Sequence, residues 1–75
     1  MAQEFEKPDF SKHSVELRFE NDLVCIYGTP EGLKKIAEFC NELIQNPNQG
    51  HIHLENYGIL TQESEKGAIA IFAED

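Results

Sequence analysis

Basic residues are scarce in this chain. Six lysines and arginines stand against fourteen aspartates and glutamates, which gives a formal net charge of −8 over 75 residues. Binding to DNA, RNA or an anionic membrane surface requires a basic patch, and the sequence offers none. We therefore expect no nucleic acid and no membrane among the partners. An acidic surface suits a basic protein partner, although it also serves solubility alone.

Cysteines and long hydrophobic runs are equally sparse. Cys25 and Cys40 form no Cys-x-x-Cys pair, and two thiols cannot build a disulfide-rich secreted scaffold. Both lie within apolar patterns, so we expect them to be buried as small hydrophobic residues. A signal-peptide run and a stretch of membrane-spanning length are both missing, which favours a reducing, cytoplasmic setting. No Gly-rich phosphate loop or dinucleotide fingerprint is present, and we expect no cofactor.

Apolar residues make up 40% of the chain, enough for one small globular core. The polar residues 1–12 predict a flexible N-terminal arm, and residues 13–75 predict a single α+β domain. Residues 14–20 alternate between apolar and polar side chains, which predicts a half-buried strand. After a turn at Asn21-Asp22, residues 23–27 are apolar at every position, and we expect a strand covered on both faces.

A helix is predicted to follow this hairpin. Thr29 suits its N-cap, Pro30 its first position and Glu31 its first turn. An apolar stripe then recurs at three- and four-residue spacing, with Phe39 at its edge. The stripe consists of Leu33, Ile36, Ala37, Cys40, Leu43 and Ile44.

Two further strands are predicted at residues 51–55 and 68–73, which completes a β-β-α-β-β order. The strands that are apolar on both faces should be central, and the alternating strands should be edges. We therefore predict one four-stranded antiparallel sheet in the order 1-2-4-3 with the helix packed on one face. The other face then exposes an apolar patch that needs a covering, from the N-terminal arm, a second copy or a target. That patch consists of Val24, Ile26, Ala68, Ala70 and Phe72.

The segment from Gly50 to Glu55 carries the most distinctive chemistry. On a strand, Ile52 and Leu54 point to the core, while His51, His53 and Glu55 share the other face. Two imidazoles and a carboxylate can ligate a metal ion such as zinc, but a closed site needs more ligands than these. The same residues also suit a polar edge that discourages strand pairing, or a contact with a partner. We favour these last two interpretations over a metal site.

Other candidate contacts are tyrosines and acidic residues. Tyr57, beside Gly58, is predicted to be an exposed anchor, whereas Tyr27 is predicted to pack in the core. Glu16 and Glu20 lie on the polar side of the first strand and are candidate partner contacts. No arrangement suited to catalysis stands out, because both cysteines are expected in the core and no pair of carboxylates is marked as buried. We therefore predict that the protein is not an enzyme.

Two short motifs resemble those of the Imm32 family of small bacterial immunity proteins. They are Tyr27-Gly28-Thr29-Pro30-Glu31-Gly32-Leu33 at the helix start and Gly50-His51-Ile52-His53-Leu54-Glu55 with Ile59-Leu60, within a resemblance that runs from about Ser14 to Phe72. The chain departs from the family pattern after Ser64, where residues 65–67 intervene before the last strand. The resemblance implies an inhibitor that binds a toxin in a stoichiometric complex.

Three functional hypotheses follow from the sequence, of which a hydrolase of unknown class is the weakest. The first is a small acidic immunity-type protein that associates with a basic toxin. The alternative is a homodimeric structural or metal-responsive module that uses His51, His53 and Glu55 and pairs through the open sheet face.

Overall fold

The computed structural model describes residues 8–72 of the chain. It contains one helix, four strands and two short 3₁₀ helices within this range. The elements are β1 (Val15–Glu20), β2 (Leu23–Gly28), α1 (Pro30–Gln45), a 3₁₀ helix (Pro47–Gln49), β3 (His51–His53), a second 3₁₀ helix (Leu54–Tyr57) and β4 (Ala68–Ala70). The first seven residues of the predicted arm and the predicted end of the last strand at Ala73 lie outside the described residues.

The hairpin of β1 and β2 turns on two residues with left-handed backbone. Asn21 and Asp22 have φ of +54° and +59°, the conformation of a two-residue type I′ turn, and Asn and Asp tolerate it better than most residues. The turn sets an antiparallel register in which Phe19 is opposite Val24. The predicted hairpin with its turn at Asn21-Asp22 is confirmed.

Helix α1 begins as predicted. The Thr29 side chain accepts a hydrogen bond from the Gly32 backbone N–H at 3.1 Å, and Pro30 occupies the first helical turn. Its buried face, however, is narrower than the apolar stripe and is centred on Phe39 and Leu43. The exposed members of the predicted stripe are Leu33, Ala37, Cys40 and Ile44.

The predicted four-stranded sheet is wrong. The described residues form two separate two-stranded antiparallel sheets, β1 with β2 and β3 with β4. The free edge of β1 is instead bonded to the irregular segment 59–65, from the Ile59 carbonyl, which accepts from the Val15 N–H at 3.0 Å, to the Glu65 N–H, which donates to the Leu17 carbonyl at 2.9 Å. β1 is therefore central and β2 is an edge, the reverse of their predicted places.

The core lies where α1 meets β1, β3 and the turn after β3. Its buried apolar side chains are Val15, Leu17, Phe39, Leu43, Ile52 and Leu54. Inward-pointing Ile52 and Leu54 were predicted from the alternation around the histidines, and this is confirmed. Within residues 8–72, no helix has the length and apolar character needed to cross a bilayer.

The first turn of α1 packs directly on the start of β1 at Gly32. A Cβ atom at this position would overlap the carbonyl oxygen of Ser14 and approach Val15 Cγ2 to 2.9 Å. In an exposed helix, Gly→Ala stabilises by about 1 kcal/mol. Here the backbone contact leaves no room, so only glycine allows the helix to lie this close.

We expect Gly32→Ala to lower the free energy of unfolding by about 1–3 kcal/mol, the usual cost of overpacking, measured by urea denaturation. Lys34→Ala, at an exposed position two residues further along α1, is the control and should change the free energy of unfolding by less than about 0.5 kcal/mol. A Gly32→Ala variant as stable as the wild type would contradict the close packing of α1 on β1.

Candidate functional site

The β1–β2 hairpin has one polar and one apolar face. Because side chains alternate along a strand, the register assigns each residue of the hairpin to one of its two faces. The apolar face carries Val15, Leu17, Phe19, Val24 and Ile26, and the opposite face carries Glu16, Arg18, Glu20, Cys25 and Tyr27.

A connected set of charged and hydroxyl groups occupies the polar face. The Glu16 carboxylate accepts hydrogen bonds from Arg18 Nε and from the Thr61 hydroxyl. Arg18 Nη1 also lies 3.6 Å from a Glu20 carboxylate oxygen, and the Tyr27 hydroxyl donates to Glu20. The guanidinium sits 5.3 Å from the centre of the Tyr27 ring, a cation–π contact. Each carboxylate on this face is thus held by a neighbour.

Glu16 is only 2% exposed although the alternating pattern placed it on the wet side of its strand. Thr61, on the segment paired with β1, covers it and supplies its second hydrogen bond. Nothing in the local sequence pattern around Thr61 indicates this role. A buried, doubly bonded carboxylate is a structural element and is not available to a partner.

Tyr27 is half-buried and its pKa is raised. Burial, followed by the hydrogen bond to Glu20, raises the pKa of Tyr27 to about 12. The phenol is therefore a hydrogen-bond donor to Glu20 over the whole physiological range. Core packing was predicted for this tyrosine, and the structure places its ring beside Arg18 on the polar face instead.

His51 and His53 project from the same face of β3, as the alternation predicted. Their rings meet edge to face with centroids 4.7 Å apart. Glu55 is beyond the end of the strand, in the 3₁₀ helix that begins at Leu54, yet one of its carboxylate oxygens lies 3.3 Å from His53 Nδ1. Among residues 8–72, no group of three or more His, Cys, Asp or Glu side chains has an arrangement that holds a metal ion.

The Glu55 carboxylate is stabilised in its ionised form. The hydrogen bond from its own backbone N–H is the largest cause that lowers the pKa of Glu55, and the charge of His53 lowers it further. Because folding lowers this pKa, the ionised group stabilises the folded state at neutral pH. That contribution is lost as the pH falls through the lowered pKa.

Tyr57 is exposed, as predicted, and is partly fixed by the helix. Its ring centroid lies 4.8 Å from that of Phe39, tilted by 49°. Of the two cysteines predicted to be buried, Cys25 is half-buried and Cys40 is exposed, so the prediction for Cys40 is wrong. The apolar stripe of α1 is wider than the surface beneath it, and Cys40 lies on the uncovered part.

The apolar face of the hairpin is largely uncovered. Phe19 is 71% exposed, Val24 76% and Ile26 56%. They line a mainly apolar groove of about 290 Å³ together with Ile36 of α1 and Ile69 of β4. Val24 and Ile26 are therefore exposed as expected, but the single sheet face on which the sequence placed them with Ala68, Ala70 and Phe72 does not exist, because β2 and β4 belong to different sheets.

A family model for immunity protein 32 matches residues 24–72 of the chain. The chain belongs to the immunity protein 32 family. The match begins within β2, so it includes the histidine strand, Thr61 and most of β2 but not β1. The search of curated proteins and the search of solved structures found no match. The family resemblance drawn from the two short motifs is confirmed.

The contact between Thr61 and Glu16 ties the segment after the second 3₁₀ helix to β1. We expect Thr61→Val to lower the free energy of unfolding by about 1–3 kcal/mol, because the buried carboxylate loses a hydrogen bond that water cannot replace. Thr61→Ser, which keeps the hydroxyl, should lose much less in the same urea titration. Equal losses in the two variants would show that the hydroxyl is not what matters.

The pairing of His53 with Glu55 makes a prediction for titration. We expect His53→Gln to raise the pKa of Glu55, measured by NMR of the side-chain carboxyl carbon. The value should remain below the ordinary one, because the larger cause, the backbone hydrogen bond, is unaffected. His51→Gln is the control and should leave the pKa of Glu55 unchanged. An unchanged pKa in His53→Gln would exclude the pairing.

Proposed function

We propose that this member of the immunity protein 32 family inhibits a basic protein toxin by binding it in a one-to-one complex. Family membership supports the class of partner, a toxin. An immunity protein acts by association and needs no catalytic group of its own. The observation that carries the choice of a basic toxin is the net charge of −8.

The charge acts mainly on the rate of encounter. Complementary charges raise association rates well above the value for neutral partners, and added salt removes the gain. An inhibitor gains from fast capture, because a free toxin acts until it is bound. The acidic surface therefore fits the task even where individual surface ion pairs add little affinity.

The candidate contacts are the exposed or half-buried residues identified from the sequence. His51, His53, Glu55 and Tyr57 surround the end of β3, and Glu20 lies at the hairpin turn. The proposed contact surface leaves Glu16 out, because its carboxylate is buried and bonded. Tyr57 suits the part of an anchor, since its ring is already positioned by Phe39 and loses little freedom on binding.

The proposal is tested with the protein encoded by the gene beside that of this chain. Coexpression with this chain should restore growth of bacteria that produce that protein, and the purified pair should form a one-to-one complex. The association rate should fall by about 10-fold or more between 50 and 500 mM salt.

An unrelated acidic protein of similar size and charge is the control, and it should not restore growth. Absence of rescue together with absence of a complex would contradict the proposed function. A complex whose association rate is independent of salt would contradict the basic character of the toxin but not the inhibition.

A further inference from the structure

β2 has an unpaired outer edge. Among the described residues its only strand neighbour is β1, and no other segment forms a sheet with it. β2 is six residues long, which is long enough for a partner strand to add to it.

The pattern of hydrogen bonds shows which groups lie on that edge. In an antiparallel pair, hydrogen-bonded and non-bonded positions alternate. The Thr29 N–H donates to the Ser14 carbonyl at 3.0 Å, so Thr29 is at a hydrogen-bonded position. Every second residue before it in β2 is then also bonded to β1, which includes Cys25 and Tyr27. Val24 and Ile26 belong to the other row, and their N–H and C=O groups point away from β1.

The same two residues also have exposed side chains. Val24 and Ile26 are the residues of β2 with the greatest exposure of apolar surface. Stable edge strands are protected by lysine, proline, inward charges or a covering segment. The sequence of β2, Leu-Val-Cys-Ile-Tyr-Gly, contains no charge and no proline. Within residues 8–72, its edge therefore combines outward-pointing backbone groups with apolar side chains, and its own sequence carries none of these protective residues.

The charges around β2 indicate the chemistry of the occupant. The charged side chains in residues 19–33 are all acidic, namely Glu20, Asp22 and Glu31. Arg18, opposite Cys25 on β1, is already held by Glu16 and Glu20, and the groove beside β2 carries Glu65 as well as Lys66. A second copy of this chain would bring another charge of −8 to the same edge, and like charges opposite each other disfavour the pairing. A basic strand places its lysines and arginines beside these carboxylates.

We propose that β2 binds an extended segment of a basic protein by strand addition, with Val24 and Ile26 as the pairing residues. Apolar side chains on one side of the incoming strand pack beside Phe19 and the groove, and basic side chains meet the acidic ends of β2. This inference rests on the proposed function for the identity of the partner, the toxin. It adds a further contact surface, the outer edge of β2, and the mode of binding there.

Amide hydrogen exchange tests the mode of binding within a single strand. On addition of the toxin, the amides of Val24 and Ile26 should exchange at least about 10-fold more slowly, because they acquire backbone acceptors. The amides of Cys25 and Tyr27 are the internal control, since β1 already pairs with them. Slowing confined to residues 51–57, with Val24 and Ile26 unchanged, overturns the proposal.

Two isoleucines with similar exposure provide a matched pair of variants. Ile26→Lys adds a positive charge to the proposed edge and should weaken toxin binding about 30-fold or more. Ile44→Lys makes the same change on α1, where Ile44 is 66% exposed, and should alter binding by less than about 3-fold. Val24→Pro removes an outward N–H without touching the bonds to β1 and should also weaken binding. Urea denaturation checks that each variant is folded.

The outcomes separate this inference from the proposed function. If the toxin binds and growth is rescued, but Ile26→Lys and Ile44→Lys behave alike, strand addition fails and the inhibitor function stands. If the toxin does not bind, a synthetic peptide of about ten residues that alternates lysine and valine replaces it as the probe. The peptide should protect Val24 and Ile26, whereas a glutamate–valine peptide should not, and equal results with both peptides overturn the proposal. Protection that rises with the concentration of the chain alone would assign the edge to a second copy and also overturn it.

Discussion

The structure depends on hydrogen bonding along both edges of β1. One edge pairs with β2 through the type I′ turn, and the other receives the Ile59 carbonyl, the Thr61 N–H and the Ser64 hydroxyl. Within residues 8–72, β1 thus joins its hairpin to the segment that leads to β4, in addition to the packing of α1 on both sheets. Leu17, which takes part in bonds on this second edge, also lies in the core, so the hydrogen bonds and the apolar packing fix the same residue.

This arrangement reverses the usual roles of the two faces of a hairpin. Burying a carboxylate is costly unless its oxygens are bonded, and Glu16 has both Arg18 and Thr61. The polar face is therefore closed by its own side chains, while Phe19 and Val24 on the apolar face are exposed. In an isolated chain this exposure is unfavourable. If the protein binds a toxin as proposed, this is the surface where burial remains available for the partner.

Local patterns predicted local structure well and sheet order badly. The turn at Asn21-Asp22, the N-cap at Thr29 and the inward side chains of Ile52 and Leu54 follow from neighbouring residues, and all are present. The predicted position of β2 in the sheet was wrong because an all-apolar strand has two explanations. Its faces are covered either within the same chain or by another molecule, and the sequence pattern is the same in both cases.

The second edge of β1 was missed for a different reason. The segment that pairs with it, residues 59–65, is not a regular strand: only some of its residues bond to β1, and one of these bonds is made by the Ser64 side chain. Its sequence therefore lacks the alternation of apolar and polar residues that marks a strand. The burial of Glu16 could not be predicted from the local pattern either, because its partner Thr61 is distant in sequence. Among the candidate contacts, two features were predictable from the sequence: the exposure of Tyr57 and the shared face of the two histidines. The approach of Glu55 to His53 was not, because it depends on the 3₁₀ turn and not on the strand period.

In the complex proposed for this protein, charge and the apolar edge of β2 act at different stages of binding. Electrostatic attraction extends about 8–10 Å at moderate salt, so the acidic residues govern how often a basic partner arrives. Backbone pairing and the packing of Val24 and Ile26 act only on contact, so they govern how long it stays. An edge without charge would be prone to pairing indiscriminately, but the surrounding carboxylates penalise acidic strands, including those of a second copy. In the proposed complex, selectivity would therefore come from the combination of an apolar strand edge and acidic flanks, and neither feature would provide it alone.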